Sequence, residues 1–297
     1  MSRARLLILA SALLFSTGGA VVKSISLSGW QVACLRSGIA ALVLFLALPA
    51  ARRRWSWGSV GVGVAYAATM ILFVLANKLT TAANTIFLQS TAPLYILLLS
   101  PWLLKEKVHR RDVFYMLALA VGMGLFFVGA EARQATAPDP WTGNLLSTAA
   151  GVTWALTVVG MRSLGRGRSG RGENLAGLAA FQGNLFAGLF CIPFAGDLLA
   201  VSAGDWAMVG YLGAFQIGLA YVLLTSGLRD VPALEASLLL LVEPVLSPLW
   251  AWSLHGEVPA SGSLVGGLVI VAATAVKTVL DARRGRRERA AGRGAVA

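Results

Sequence analysis

The sequence predicts an all-α integral membrane protein with ten transmembrane helices arranged as two inverted five-helix repeats, with the N- and C-termini cytoplasmic. Three observations lead to this prediction. The 297 residues are 57% hydrophobic and only 13% charged, whereas soluble domains have about a quarter of their residues charged. Apolar stretches long enough to cross a bilayer recur along the whole chain. Finally, two distant segments share one sequence pattern and differ mainly in their basic residues.

The predicted spans follow from the thickness of a bilayer. A hydrocarbon core about 30 Å thick requires about 20 mostly apolar residues in a helix. On this criterion the spans cover residues 5–23, 28–49, 57–78, 82–104, 112–130, 143–162, 174–195, 204–228, 232–254 and 260–280. They account for almost the whole chain, so we expect no soluble domain. The first span follows MSRAR as a signal peptide would, but GGAVVKSIS is a poor cleavage site, and we interpret the span as a retained helix.

The distribution of basic residues predicts the orientation in the membrane. Of the 25 lysines and arginines, 21 lie in segments that would be cytoplasmic if the N-terminus is cytoplasmic. Only Lys23, Lys78 and Arg133 lie in outer segments, and Arg36 lies within a span. This asymmetry follows the positive-inside rule. The net charge of +12 therefore indicates topology and contact with anionic membrane lipid, and we expect no nucleic-acid partner.

An internal repeat relates the segments APLYILLLSPWLLKEK and EPVLSPLWAWSLHGEV. Pro93 and Glu106 in the first segment correspond to Pro244 and Glu257 in the second, both at an offset of 151 residues. The first segment ends in lysines and the second in none. Because each repeat has five spans, the second must enter the membrane in the opposite orientation. The missing lysines are then explained by the outer location of the second segment.

The repeat also defines the predicted domains. Upstream of these segments, Lys23 aligns with Arg162 at an offset of 139. The predicted organisation is a first repeat (1–131), a periplasmic linker (132–140), an inverted second repeat (141–280) and a basic cytoplasmic tail (281–297). Inverted repeats indicate a secondary transporter that alternates access about a site near the midplane. A channel or a membrane enzyme could contain the same duplication.

The repeat segments resemble a known family. TAANTIFLQSTAPLYILLLSPWLLKEKV, VPALEASLLLLVEPVLSPLWAWSLHGEV and AAGVTWALTVVGMRSL are similar to the paired EamA domains of the drug/metabolite transporter superfamily. More narrowly, the chain is similar to bacterial aromatic amino-acid exporters of the YddG type. The resemblance implies export of amino acids and related metabolites across the bacterial inner membrane through a central cavity between the halves. Another small amphipathic metabolite or drug is the alternative cargo.

Two charged residues within predicted spans are candidate functional residues, because ionised groups at that depth usually face a cavity or a bundle interior. Glu243 could bind a substrate amine, carry a proton or tie helices together. Arg36 could meet a substrate carboxylate. The two residues lie about 12 Å and about 16 Å from the outer ends of their helices, so we predict a structural pair between Arg36 and Glu243. The sequence leaves proton coupling and facilitated diffusion equally open.

Prolines, aromatic residues and polar residues supply the other candidates. Pro93 and Pro244 each remove a hydrogen bond in mid-span and are predicted hinges. Aromatic faces beside a few hydrogen-bonding groups suit a flat apolar side chain with an amino-acid head group. With Glu243, the predicted substrate-binding residues are Ser11, Phe15, Tyr66, Phe73, Asn77, Gln89, Trp154, Thr157, Gln216 and Tyr221.

The sequence does not favour catalysis. It contains no P-loop pattern and no His, Cys, Asp or Glu cluster with metal-ligand spacing. No set of a nucleophile and a base is visible either. We therefore expect no cofactor, no metal and no enzyme activity, with an intramembrane enzyme as the least favoured alternative. Gly262 and Gly266 permit close helix contact, so the protein is predicted to be a monomer or a homodimer.

Overall fold

The structure, a computed structural model, describes residues 2–106, 108–128, 133–166, 175–198, 200–228, 230–231 and 233–294. In the first half, the helices are α1 (Arg3–Ser16), α2 (Gly18–Ser24), α3 (Gly29–Ala47), α4 (Trp57–Leu79), α5 (Ala82–Gln89), α6 (Ala92–Leu103) and α7 (Arg110–Gly124). The second half contains α8 (Pro140–Arg166), α9 (Leu175–Cys191), α10 (Ala203–Tyr211), α11 (Ala220–Gly227), α12 (Ala233–Leu240), α13 (Val242–His255) and α14 (Ser261–Gly294). A π-helical segment, Leu212–Leu219, joins α10 to α11.

The prediction of an all-helical, multi-span membrane protein is confirmed. In the described part of the chain, nine helical stretches are long and apolar enough to cross a membrane. The remaining predicted span, the fifth (112–130), corresponds to α7, which has 15 residues and is followed by turns up to Val128. The last helix continues beyond its predicted span to Gly294, because the alanines and arginines that follow favour helix.

Three predicted spans are each built from two helices. The first is interrupted at Thr17, the fourth at Ser90 and Thr91, and the ninth at Leu241. Pro93 lies in the first turn of α6, where a proline replaces no intrahelical N–H donor. The hydroxyls of Ser90 and Thr91 donate to preceding carbonyls at 2.7 and 2.6 Å. The break therefore leaves few backbone groups unsatisfied in the membrane.

Contacts between the two halves form most of the interior. In this arrangement α4 packs against α8 and α9, α3 packs against α9, and α1 packs against α11 and α13. Glycines permit the closest approaches between helices. A Cβ on Gly183 of α9 would lie 2.3 Å from Cδ1 of Tyr66 on α4. The position of Tyr66 in the wall between the halves therefore depends on the absence of a side chain at residue 183.

The Gly262 and Gly266 pair packs inside the protein. A Cβ on Gly266 would lie 2.5 Å from the carbonyl oxygen of Gly122 on α7, and one on Gly262 would lie 3.0 Å from the carbonyl oxygen of Leu125. Both glycines thus bring α14 against α7, in the manner of small-residue helix contacts in membranes. This face is already occupied within the chain, so it supplies no homodimer surface.

Candidate functional site

A cavity of about 440 Å³ lies between the two halves of the chain. Most of the predicted site residues line it. These are Phe15, Arg36, Tyr66, Phe73, Gln89, Trp154, Gln216, Tyr221 and Glu243, together with both predicted hinge residues, Pro93 and Pro244. The broken helices bring these residues together, because the interruptions of the fourth and ninth spans both lie at the cavity wall.

Aromatic rings form a continuous part of the cavity wall. The ring of Tyr66 contacts Trp154 edge to face with centroids 5.9 Å apart, and it contacts Tyr221 at 6.0 Å. Tyr221 in turn meets Phe15 at 5.4 Å. Four elements, α4, α8, α11 and α1, each contribute one ring. Edge-to-face contacts of this kind fix ring orientation, so the wall presents a stable apolar surface for a flat side chain.

Arg36 brings an unpaired positive charge to this cavity. Its side chain extends from the middle of α3, and the residue is only 3% exposed. Nε and Nη1 are buried without a hydrogen-bond partner among the described residues. The guanidinium carbon lies 5.5 Å from the centroid of the Phe73 ring, a cation–π contact that only partly replaces lost hydration. Buried polar groups are normally hydrogen-bonded, so this guanidinium lacks a partner that a bound molecule could supply.

Glu243 lies in the first turn of α13 and also faces the cavity. Among the described residues it makes no ion pair. The positive end of the helix dipole favours a carboxylate at this position. Arg36 and Glu243 form no direct ion pair among the described residues, although both face the cavity. The two residues lie at a similar predicted depth, but α3 packs on α4 and α9 whereas α13 packs on α1, α2 and α5. Tyr221 lies within electrostatic reach of both charges.

Three predicted site residues lie outside the cavity wall. Ser11 is completely buried in α1, one helical turn before Phe15. Asn77 donates to the carbonyl of Phe73 within α4, and Thr157 donates to the carbonyl of Thr153 within α8. Each is a polar residue about one helical turn from an aromatic candidate, namely Phe15, Phe73 or Trp154. The side chains of Asn77 and Thr157 bond their own helix instead, and none of the three contributes to the wall.

Sequence reasoning missed a buried polar cluster between the two halves. Lys23, predicted to lie in an outer segment, is 3.0 Å from Glu257 through Nζ and Oε1, and these side chains are only 2% and 1% exposed. Lys23 Nζ also donates to the carbonyls of Asn77 and Thr80 at 2.7 and 2.8 Å, and to that of Thr136 at 2.6 Å. The only sequence signal for this cluster is the alignment of Lys23 with Arg162, which by itself indicates the repeat and not an ion pair.

The same cluster joins the two halves at one end of the protein, which we call the sealed end. Glu257 accepts a hydrogen bond from the backbone N–H of Ala82, the first residue of α5, at 2.9 Å. Lys23 and Glu257 therefore join α2 and the segment after α13 to the junction between α4 and α5. The cavity extends away from this junction towards Met161, Ala176 and Leu224, where α8 ends, α9 begins and α11 ends. We call this the open end.

Comparison with known proteins identifies the family. Two stretches of the chain, residues 2–128 and 141–278, match the EamA-like transporter family. The chain belongs to this family. It is therefore a multi-pass transporter of the plasma membrane and not an enzyme.

Relatives of this EamA-family transporter are also described as transporters. The chain is 31% identical over 174 residues to the uncharacterized transporter YetK of Bacillus subtilis, covering 56% of this chain and 50% of YetK. It is 24% identical over 214 residues to an uncharacterized transporter of Archaeoglobus fulgidus, covering 72% and 73%. One solved crystal structure superposes with a TM-score of 0.60 at 23% identity, over 94% of this chain and 98% of that one. The last comparison bears on the fold alone.

Proposed function

We propose that this EamA-family transporter exports amino acids, with aromatic and other apolar ones favoured, and related metabolites across the inner membrane by alternating access. One observation carries the proposal. A single cavity presents an aromatic wall and two charged groups, the Arg36 guanidinium and the Glu243 carboxylate, that make no ion pair with any described residue. An α-amino acid has a carboxylate, an ammonium and, in the favoured cases, an apolar ring, so it complements all three.

The charges assign an orientation to the substrate. A carboxylate at Arg36 would accept charge-assisted hydrogen bonds from the guanidinium, whose Nε and Nη1 lack partners among the described residues. The ammonium would lie at Glu243, and the ring would pack on Tyr66, Trp154 and Tyr221. A buried charged group that is left without a partner destabilises the complex. Molecules that carry only one of the two charges should therefore bind less tightly. A volume of about 440 Å³ suits one such molecule.

Inverted repeats and broken helices support the alternating-access part of the proposal. The two halves would be residues 1–131 and 141–280, with both termini cytoplasmic according to the basic residues. The boundary at 131/132 lies outside the described residues. Pro93 and Pro244 lie at the breaks of the fourth and ninth spans and contact the cavity. They are well placed to act as hinges when one half rocks against the other.

A specificity of the YddG type, for aromatic amino acids, is the narrower form of this proposal. The four aromatic rings in the wall favour it. A different small amphipathic metabolite or drug is the second candidate, favoured by the mostly apolar wall, which would accept other flat molecules. Competition separates the two, because only the first requires both charges on the cargo.

The proposal is tested by uptake of labelled phenylalanine into proteoliposomes containing the purified transporter, with empty liposomes as the control. We expect saturable uptake without an ion gradient, competed by tryptophan more strongly than by phenethylamine or phenylpropionate, which each lack one charge. Absence of uptake, both without a gradient and with an imposed proton gradient, would contradict an amino-acid cargo.

Glu243 also allows a test of energy coupling. If Glu243 carries a coupling proton, the Glu243→Gln variant should lose any dependence of uptake on a pH gradient while it retains exchange of substrate. Glutamine keeps the shape and the hydrogen-bonding oxygen of the side chain but cannot bind and release a proton. Uptake by the parent and the variant is compared at equal and unequal pH. An unchanged response to the gradient would exclude Glu243 as the coupling site.

A further inference from the structure

The buried Lys23–Glu257 pair has a counterpart at the opposite end of the protein. Arg162 Nη2 lies 2.7 Å from Glu106 Oε1. Arg162 is the residue that aligns with Lys23 at an offset of 139, and Glu106 aligns with Glu257 at an offset of 151. Each ion pair therefore joins the basic residue of one half to the carboxylate of the other half. Exchanging the two halves converts one pair into the other.

The two pairs differ in their surroundings. The side chains of Lys23 and Glu257 are 2% and 1% exposed and clamp the α4–α5 junction at the sealed end. The side chains of Arg162 and Glu106 are 47% and 31% exposed, and they lie beside Met161 at the open end. The Lys23–Glu257 pair is thus buried against the α4–α5 junction, whereas the Arg162–Glu106 pair is accessible to solvent.

We propose that these two ion pairs are the alternating gates of the transporter. In the present state Lys23 and Glu257 hold one end closed. When the halves rock, this pair separates from the α4–α5 junction and becomes accessible, while Arg162 and Glu106 become buried between the halves at the open end. The inference rests on alternating access but not on the nature of the cargo.

Removing one partner of each ion pair should shift the conformational equilibrium in opposite directions. Removing one partner of a buried ion pair leaves an uncompensated buried charge and is strongly unfavourable. Removing one partner of an exposed pair has little effect. The variant Glu257→Gln should therefore destabilise the present state selectively, and Glu106→Gln should destabilise the alternate state. A mutation shifts the equilibrium only through its different effect on the two states.

Accessibility of single cysteines reports on both ends without requiring a substrate. Ser247→Cys places a thiol next to the sealed end: Ser247 is 3% exposed, and its Oγ is 3.5 Å from the position of a Cβ on Gly19. Ala176→Cys places one in the cavity wall near the open end. The native cysteines, Cys34 and Cys191, are buried, and protein without a reporter measures their background. Labelling uses a charged, membrane-impermeant maleimide on purified protein.

We expect Glu257→Gln to increase the labelling rate of Ser247→Cys by about tenfold or more and to decrease that of Ala176→Cys. Adding Glu106→Gln should return both rates towards those of the parent, because both states are then weakened. The matched control is Glu235→Gln, which removes the more exposed pair of Glu235 with Arg5 on α1 and should leave both rates unchanged.

A second variant opens the sealed end without removing a charge. Ala82→Pro eliminates the N–H that binds Glu257, and a proline is tolerated at the first position of a helix. It should also increase labelling of Ser247→Cys, and it decides the result if Glu257→Gln does not fold. The proposal is overturned if Ala82→Pro leaves the rates unchanged, if both reporters become more reactive together, or if Glu106→Gln fails to reverse the effect of Glu257→Gln.

Discussion

Replacing Arg36 with methionine is expected to weaken binding of phenylalanine by about thirtyfold or more, because loss of one partner of a buried charge pair costs about 2 kcal/mol or more. Methionine preserves much of the volume of the aliphatic stem but cannot bind a carboxylate. The affinity is measured by titration of the purified transporter and by the substrate dependence of uptake. Arg36→Lys should be intermediate, because an ammonium keeps the charge but not the two parallel donors of the guanidinium.

Controls separate a binding role of Arg36 from a structural one. Binding of phenethylamine, which has no carboxylate, should not weaken in Arg36→Met. Thermal stability should be equal or higher, because Nε and Nη1 are buried without partners and their removal relieves an unfavourable desolvation. A large loss of stability would show that Arg36 supports the fold, and unchanged affinity for phenylalanine would contradict its binding role.

Placing alanine at Gly183 is expected to destabilise the folded protein by about 2 kcal/mol, since overpacking a close-packed interior costs about 1–3 kcal/mol. The new Cβ would lie 2.3 Å from Cδ1 and 2.6 Å from Cβ of Tyr66. The Cβ of Tyr66 can move only with the backbone of α4, so rotation of the ring cannot relieve the overlap. Tyr66 would be displaced in the cavity wall, and we expect transport to fall together with stability.

The matched control for Gly183→Ala is Gly61→Ala in α4. A Cβ on Gly61 would meet nothing within 4 Å, so the higher helix propensity of alanine should stabilise this variant by up to about 1 kcal/mol. Thermal unfolding of the two purified variants measures the difference. Equal or higher stability of Gly183→Ala would show that α4 and α9 do not require this close approach.

Much of the cavity lining could be predicted from sequence, because charged residues within an apolar span are visible in the sequence itself. Arg36 and Glu243 stand out as charges within apolar spans, and an ionised group at that depth has few acceptable environments. Aromatic residues such as Tyr66 and Trp154 are predicted because they lie beside hydrogen-bonding groups within the spans, and they line the cavity. Ser11, Asn77 and Thr157 are predicted from their position one helical turn from an aromatic candidate. Small polar side chains can bond their own helix, so their presence in a span does not determine which way they face.

For the described residues, the sequence by itself determined the approximate limits of the nine membrane-spanning stretches, since the bilayer imposes the length of an apolar span and charge is costly within it. It also established the duplication, because matched residues keep their spacing. Only the tertiary structure decided which residues meet across the halves. It left Arg36 and Glu243 without a direct ion pair to each other, and it paired Lys23 with Glu257. Depth in the membrane fixes one coordinate of a residue, whereas an ion pair also depends on the neighbouring helix and the direction of the side chain.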